Sequence, residues 1–269
     1  MSVITISRGS YSRGKEIAEK TAERLGYKCI SRDLQLEVSK EYNIPEFRLV
    51  HAIHDAPNIF DRLNKKKDKY IAYIKSALLN HFKEDNVVYH GLAGHFFVKD
   101  VPHALKVRII ADMEDRVELE MQRKGFNADK ARRILEKDDT ERRKWSQNLY
   151  GINTADPSLY DLVIHIKRLT VEDAVDLICN CISKDQFKTT EESRHIIEDI
   201  ALSAAIEKAL IDFGPDTSVC VDNHTAYIET HAAVGAEQEW VKEIKEIIET
   251  FDEISDIKIS CHPIVALSE

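Results

Sequence analysis

The fold is decided by the stretch Ile4-Thr5-Ile6-Ser7-Arg8-Gly9-Ser10-Tyr11-Ser12-Arg13-Gly14-Lys15-Glu16-Ile17-Ala18. Its first residues alternate as in a buried strand, and the residues after Gly14 have the pattern of a helix that ends at Gly26. Between them, Gly9-x4-Gly14-Lys15 fits the G-x4-G-K core of a phosphate-binding loop. Glycines let backbone N–H groups approach an anion closely, and the following helix points its positive end at it. An ordinary strand, turn and helix with chance glycines is the alternative interpretation.

One position departs from the general loop pattern. Glu16 stands where Ser or Thr normally ligates Mg²⁺. A carboxylate at this position either binds the metal directly or faces away from it, because otherwise it would repel the phosphates.

Outward from the loop, short β-rich runs alternate with longer amphipathic stretches. The predicted strands are 2–7, 27–30, 86–90, 105–111 and 160–166, and the predicted helices are 15–25, 34–42, 65–83, 114–124, 128–144 and 171–183. Such alternation implies parallel strands joined by right-handed crossovers. The sequence therefore predicts an α/β domain over residues 1–185.

A second, smaller unit follows a polar stretch at 185–192. Its pattern is a helix at 194–212, a turn at 214–216, strands at 218–221 and 226–230 joined by Asp222-Asn223-His224, a helix at 237–251 and a last strand at 257–259. The order α-β-β-α-β predicts a small α+β domain over residues 193–269.

Charge is divided unevenly within the net charge of −9. Residues 1–185 carry 29 acidic and 32 basic side chains, whereas residues 186–269 carry 18 acidic and 6 basic ones. The acidic part would repel nucleic acid and anionic membranes, so neither is predicted as a partner. No apolar run approaches the ~20 residues of a membrane span, and residues 1–7 do not resemble a signal peptide. The five widely spaced cysteines are interpreted as reduced thiols, which predicts a cytoplasmic protein.

Arginines are concentrated in the two helical stretches at 114–144. Arg116 and Arg123 share a helix face, and Asp138 and Asp139 precede Arg142 by four and three residues. The cluster consists of Arg116, Arg123, Arg132, Arg133, Arg142 and Arg143. Arginines stabilise the charge that develops on phosphoryl oxygens, so a mobile pair of such helices suits a lid. A solvated helix laced with ion pairs is the alternative.

Two segments at strand ends are candidates for the acceptor side. Asp33 follows the second strand, where its carboxylate would either bind an acceptor base or sugar or cap the next helix. Gly91 and Gly94 follow the third strand, at the edge where open α/β sheets bind ligands. His90 beside them is either functional or a packed core histidine, and we favour the core histidine.

Together these segments resemble the cytidylate kinase-like family, a branch of the P-loop nucleoside-monophosphate kinases, over residues 1–183. The resemblance is carried by Ile4-Thr5-Ile6-Ser7-Arg8 with Ser12-Arg13-Gly14-Lys15-Glu16-Ile17-Ala18, by Arg32-Asp33, by Val87-Val88-Tyr89-His90-Gly91, by Asp139-Thr140-Glu141-Arg142 and by Tyr160-Asp161-Leu162-Val163-Ile164. It implies a P-loop kinase fold, in which helices cover a central parallel sheet and form a lid. It also implies transfer of the ATP γ-phosphate to a nucleoside monophosphate, with Mg²⁺ and with CMP or dCMP as the favoured acceptor.

The resemblance implies that Lys15 and Arg142 contact phosphates and that Asp33 lies in the acceptor pocket. The complete prediction assigns catalysis to Lys15, Arg116, Arg123, Asp139 and Arg142, ATP binding to Gly9, Ser10, Ser12, Arg13, Gly14, Lys15 and Glu16, acceptor binding to Arg8, Asp33, Gly91 and Arg133, and metal binding to Glu16.

Three features depart from the family pattern. The family loop usually carries more glycine, whereas Tyr11 and Arg13 occupy neighbouring positions here; Leu92 stands where the family tends to have Arg, and His165 stands where Asn is expected. Tyr11, Arg13, Leu92 and the acidic C-terminal unit favour an alternative, a nucleotide-binding regulatory protein with a degenerate site that signals through its C-terminal unit.

The C-terminal unit resembles a BON domain in its order of elements. Such domains are associated with membranes or small ligands, and the acidic charge favours a small ligand or a protein contact here. A homodimer is a further arrangement that the sequence leaves open.

Overall fold

The computed structural model describes residues 2–9, 12–31, 34, 38–40, 65–91, 93–213 and 217–264. Most of the predicted helix at 34–42 and the whole predicted turn at 214–216 lie outside these residues. So do five residues that the sequence singles out, Ser10, Tyr11, Arg32, Asp33 and Leu92.

The centre of the fold is a five-stranded parallel sheet with the order β2-β3-β1-β4-β5. Its strands are β1 (Val3–Arg8), β2 (Lys28–Ile30), β3 (Val87–His90), β4 (Ala104–Ala111) and β5 (Leu162–Ile166). The register pairs Ile6 with His90 and Ser7 with Arg108. The carboxyl ends of β1, β3 and β4 therefore meet at one edge of the sheet. The parallel sheet that the sequence predicts is confirmed.

Helices cover both faces of this sheet. They are α1 (Gly14–Leu25), α2 (Lys65–Lys83), α3 (Gly94–Phe97), α4 (Met113–Lys124), α5 (Ala128–Tyr150), α6 (Val171–Ile182) and α7 (Glu191–Ala209). Helices α1 and α6 pack on one face of β1 and β4, and α2 and α7 pack on the other face. In the part of the chain that the structure describes, no helix is long and apolar enough to cross a membrane.

Helix α7 begins and ends three residues before the predicted helix at 194–212. Other differences from the predicted helices have local causes. Helix α5 runs six residues beyond the predicted end at 144, because its C-cap is Gly151 in the left-handed conformation with a φ of 67°. The short helix α3 was not predicted. It begins after Ala93, which has a positive φ of 65° that no sequence pattern indicated.

The C-terminal sheet has the predicted order of elements. Strands β6 (Ser218–Asp222) and β7 (Thr225–Ala233) form an antiparallel hairpin, and β8 (Asp256–Ile264) pairs parallel to β7. The hairpin turns at Asn223 and His224, both with positive φ, as a two-residue turn of this type requires. Helix α8 (Glu237–Ile248) covers one face of the sheet, and its Ile244 and Ile248 are fully buried.

Helix α7 takes part in two hydrophobic cores. Ile197, Ala201 and Ala204 are buried in the core beneath the five-stranded sheet. Ile206, two residues further on, belongs to the core of the C-terminal sheet, together with Leu210. The ion pairs Lys75–Glu207 and Lys69–Asp212 join α2 to α7 and to the segment that follows α7. The two sheets are therefore joined by a packed helix.

We expect Ile197→Ala to lower the free energy of unfolding by about 2–5 kcal/mol, because the side chain is 1% exposed and its removal leaves a cavity. Urea denaturation followed by circular dichroism measures the change. Leu177→Ala, at a site 42% exposed on α6, is the matched control and should change stability by less than about 0.5 kcal/mol. Equal effects of the two substitutions would contradict a core role for α7.

Candidate active site

The loop between β1 and α1 is fastened to the neighbouring strand. Ser12 Oγ lies 3.1 Å from the carbonyl oxygens of both Gly9 and Ile109, and the Gly9 N–H donates to Ile109 O at 3.4 Å. Arg13, the N-cap of α1, has a φ of 60°. This left-handed conformation is uncommon for a residue with a side chain and is one that glycine adopts readily. These hydrogen bonds fix the described residues of the loop, and Arg13 takes the left-handed position that glycine would adopt more readily.

Gly14 is required by close packing rather than by an unusual φ. A Cβ atom at this position would lie 2.7 Å from both Cβ and Cδ of Arg8. The first turn of α1 therefore approaches the end of β1 more closely than any other residue type permits, and it brings the positive end of the helix to the loop.

The two charged residues after Gly14 both face other charges. The Lys15 side chain is 63% exposed, and its Nζ lies 3.5 Å from Glu19. Glu16 lies 3.9 Å from Arg13 Nη1 and 3.7 Å from Lys20 Nζ. Among the described residues, no group of three or more His, Cys, Asp and Glu side chains is arranged to hold a metal ion. Mg²⁺ commonly needs only one or two protein carboxylates beside phosphate and water, so the chemistry of Glu16 suits it.

Helices α4 and α5 bring the predicted lid residues to the loop. Arg116 Nη2 donates to Asp139 Oδ2 at 2.7 Å, and Arg142 Nη1 donates to the carbonyl oxygen of Arg8 at 3.1 Å. Arg123 instead forms two hydrogen bonds to Glu120, of 2.9 and 3.1 Å.

These residues line two adjoining spaces that share Arg8 and Arg142. The first is a cavity of about 160 Å³, here called the arginine cavity, and it is lined by Arg8, Gly9, Gly91, Arg108, Arg116, Asp139, Arg142, Arg143 and Ser146 among others. The second is a cleft of about 870 Å³, here called the loop cleft, lined by Arg13, Gly14, Lys15, Glu16, Arg123 and Asp138 among others. Arg133, predicted to bind the acceptor, is exposed on α5 and lines neither space.

The floor of the arginine cavity was not predicted from the sequence. Arg108 on β4 donates from Nη1 to Tyr160 OH at 3.1 Å and lies 3.4 Å from Ser7 Oγ. Tyr160 OH also lies 3.3 Å from His95 Nε2. Burial, with the charge of Arg108, lowers the pKa of His95 to about 3, so this imidazole is neutral at neutral pH. The sequence did not indicate this group, because Ser7 and Arg108 become neighbours only through the register of β1 with β4.

His90 ends β3 beside the loop. It is 5% exposed, and burial, with the charges of Arg8 and Lys15, lowers its pKa to about 4. The buried neutral imidazole agrees with the core histidine favoured from the sequence. Gly91 follows it, where a Cβ would lie 2.3 Å from Tyr89 Oη. The turn after β3 is therefore packed as closely as the loop after β1.

Comparison with known proteins gives consistent results. A family model described as "Cytidylate kinase-like family" matches residues 3–168. The chain is 30% identical over 194 residues to a protein named cytidylate kinase from Archaeoglobus fulgidus, covering 70% of this chain and 99% of that protein. It is 28% identical over 179 residues to a cytidylate kinase from Pyrococcus horikoshii, covering 65% of this chain and 85% of that protein.

One solved structure shows a likeness of fold. The crystal structure of an uncharacterized protein from Eubacterium ventriosum aligns with a TM-score of 0.52 and 22% identity, over 68% of this chain and 100% of that one. At this identity the match concerns the fold alone.

Proposed function

The chain belongs to the cytidylate kinase-like family, and from that premise we propose that it transfers the γ-phosphate of ATP to a nucleoside monophosphate, with CMP or dCMP favoured as the acceptor. The observation that carries the proposal is the junction of the loop cleft with the arginine cavity, which share Arg8 and Arg142. Phosphoryl transfer needs a donor phosphate and an acceptor phosphate side by side, with cations between them.

On this proposal, the triphosphate of ATP lies over Gly9, Ser12 and Gly14 at the positive end of α1. Lys15 neutralises charge on the β- and γ-phosphates. Its side chain is exposed, so packing does not keep it from the nucleotide. Ser10, Arg13 and Glu16 complete the binding loop.

The lid residues have different proposed roles. Arg142 and Arg116 face the arginine cavity, so they stabilise charge on the transferred group, and Asp139 orients Arg116 through their 2.7 Å hydrogen bond. Arg123 lines the loop cleft and acts on the donor side once it leaves Glu120. Closure of α4 and α5 over the site would exclude water from the donor and acceptor phosphates.

Arg8 and Gly91 line the arginine cavity and are proposed to contact the acceptor, together with Asp33. Arg133, predicted for the same role, is exposed and lines neither space, so it has no place in the proposed acceptor site. Glu16 would hold Mg²⁺ through one carboxylate oxygen. When bound, the ion would neutralise part of the phosphate charge. The acceptor phosphate oxygen is already ionised at neutral pH, so no strong general base is required.

A third space suits the base of ATP. A cleft of about 550 Å³ lies between α4 and the segment after β5, and Leu119, Ile166 and Leu169 give it apolar walls. Lys20 and Glu16 stand at its loop side, so a nucleotide that spans from here to Lys15 would have its base and phosphates in matching environments.

A second candidate is a nucleotide-binding regulatory protein without turnover. Two observations favour it: the left-handed Arg13 in the loop, and the packing of α7 in both hydrophobic cores. The first would weaken catalysis, and the second would transmit a change of state to the C-terminal sheet, for which a BON-like ligand-binding role is proposed.

A coupled assay of ADP release separates the two candidates. Mg-ATP is offered with CMP, dCMP, UMP, AMP and GMP in turn, and without acceptor as the background. We expect turnover of about 1–100 s⁻¹ with CMP or dCMP, the range of many kinases. Binding of ATP by calorimetry without turnover on any acceptor would refute the kinase proposal and support the regulatory one.

A further inference from the structure

The floor of the arginine cavity contains a cation, Arg108, for which the described residues provide no paired carboxylate. Arg108 is partly buried, and it contacts the hydroxyl groups of Ser7 and Tyr160 and the ring of Tyr160, whose centroid lies 5.4 Å from the guanidinium carbon. In the described part of the chain, no carboxylate lies within 4.0 Å of its guanidinium group. The imidazole of His95, which also contacts Tyr160, adds no charge, since burial keeps it unprotonated. A partly buried guanidinium group that lacks a carboxylate partner is stabilised by a bound anion.

An independent observation concerns the wall of the same cavity. Ser146 on α5 is 1% exposed, and its Oγ has no hydrogen-bond partner among the described residues. A buried hydroxyl without a partner is costly, at about 1–3 kcal/mol, and such groups usually bind water or a ligand. Ser146 lines the arginine cavity together with Arg108 and Arg143.

The charge of the cavity selects an anion. Five arginines and one carboxylate line it, and the carboxylate of Asp139 is paired with Arg116. A volume of about 160 Å³ excludes a whole nucleotide from the described part of the cavity but accommodates a phosphate group with water.

We propose that Arg108 and Ser146 bind the phosphate group of the acceptor nucleoside monophosphate at the floor of the arginine cavity and thereby position it for transfer. The inference rests on the proposed function and adds two residues to it. Arg108 donates hydrogen bonds from its charged guanidinium group to the phosphate oxygens, and the uncharged Ser146 hydroxyl donates a further one. The same chemistry would bind a terminal phosphate of ATP, so the test must separate acceptor from donor.

Calorimetry with inorganic phosphate, CMP, cytidine and ATP provides that separation. In Arg108→Gln we expect the Kd of inorganic phosphate and of CMP to rise about 10- to 100-fold, and in Ser146→Ala about three- to tenfold. Cytidine, which has no phosphate, and ATP should bind each variant within about twofold of the unchanged protein. A parallel rise in the Kd of ATP would overturn the assignment to the acceptor. Absence of phosphate and CMP binding from the unchanged protein would overturn the site itself.

Steady-state kinetics distinguishes failure of the inference from failure of the proposed function. Where an acceptor is phosphorylated, Arg108→Gln should raise the KM for that acceptor about tenfold or more while the KM for ATP stays constant. Turnover with an unchanged acceptor KM would refute the inference and leave the kinase proposal intact. Phosphate binding that depends on Arg108, without turnover on any acceptor, would refute the kinase proposal and retain the site.

Two variants control for indirect effects. Arg24→Gln removes an arginine of the α1–α6 surface, far from the cavity, and should leave all four affinities unchanged. Arg108→Lys keeps the charge but loses the planar fork, so intermediate affinities are expected. If Arg108→Gln does not fold, as judged by its melting temperature, Ser146→Ala alone decides between the outcomes.

Discussion

Lys15→Ala is expected to lower kcat by about 10²–10³-fold, the loss typical of removing one preorganised group from a charged transition state. The side chain is the only lysine that lines the loop cleft among the described residues, and it stands at the first turn of α1. Its one neighbouring carboxylate, Glu19, lies at 3.5 Å on the helix surface, where an ion pair contributes little to stability. We therefore expect kcat to fall while the melting temperature stays within about 1 °C.

The measurement is ADP release with the acceptor that gives the highest turnover, together with the Kd of ATP. Lys99→Ala removes a charge from an exposed position outside the clefts described above, and it should retain full activity. A Lys15→Ala variant with more than half of the original kcat would show that the loop does not act on the transferred phosphate.

Gly14→Ala is expected to damage both the loop and the fold. The added Cβ would lie 2.7 Å from Arg8 Cβ, an atom next to the backbone of β1, so neither side can move cheaply. Overpacking of this kind costs about 1–3 kcal/mol. Because the strain falls between the first turn of α1 and the end of β1, the affinity for ATP should fall as well.

Gly9→Ala in the same loop is the steric control for Gly14→Ala. Its Cβ would lie 3.7 to 4.0 Å from the guanidinium atoms of Arg116, which are ordinary contacts, so its stability should change by less than about 0.5 kcal/mol. Chemical denaturation of both variants measures the difference. Equal stabilities would mean that α1 and β1 are further apart than the structure has them.

The arrangement of the first sheet could be predicted because two signals agree. Val107, Ile109 and their neighbours read as a strand covered on both faces, and the loop residues mark where the first strand ends and its helix begins. The ends of the helices were harder to predict from the sequence. The end of α5 depends on a left-handed Gly151, and the start of α3 depends on a left-handed Ala93, which is a conformation that tertiary packing imposes.

The residues of the candidate site that the sequence indicated are close together in the chain, whereas those that it did not indicate are brought together by the fold. Lys15 and Gly14 belong to one contiguous loop, and Arg142 follows Asp139 by three residues. Arg108 instead lies within a strand that reads as core, and Ser146 lies within a helix of 23 residues. Their meeting at one cavity depends on the register of β1 with β4 and on where α5 crosses the sheet edge, which no local pattern encodes.

The double role of α7 has a consequence for the order in which the chain can fold. The ion pair between Lys75 and Glu207 joins residues 132 positions apart, and Ile197 closes a core that includes residues of β1, β3 and α2. During synthesis, the apolar side of α2 therefore waits for more than a hundred residues before its covering helix leaves the ribosome. Contacts of such long sequence separation slow folding and prolong exposure of apolar surface. The five-stranded sheet thus completes its folding late, together with the C-terminal sheet that follows it.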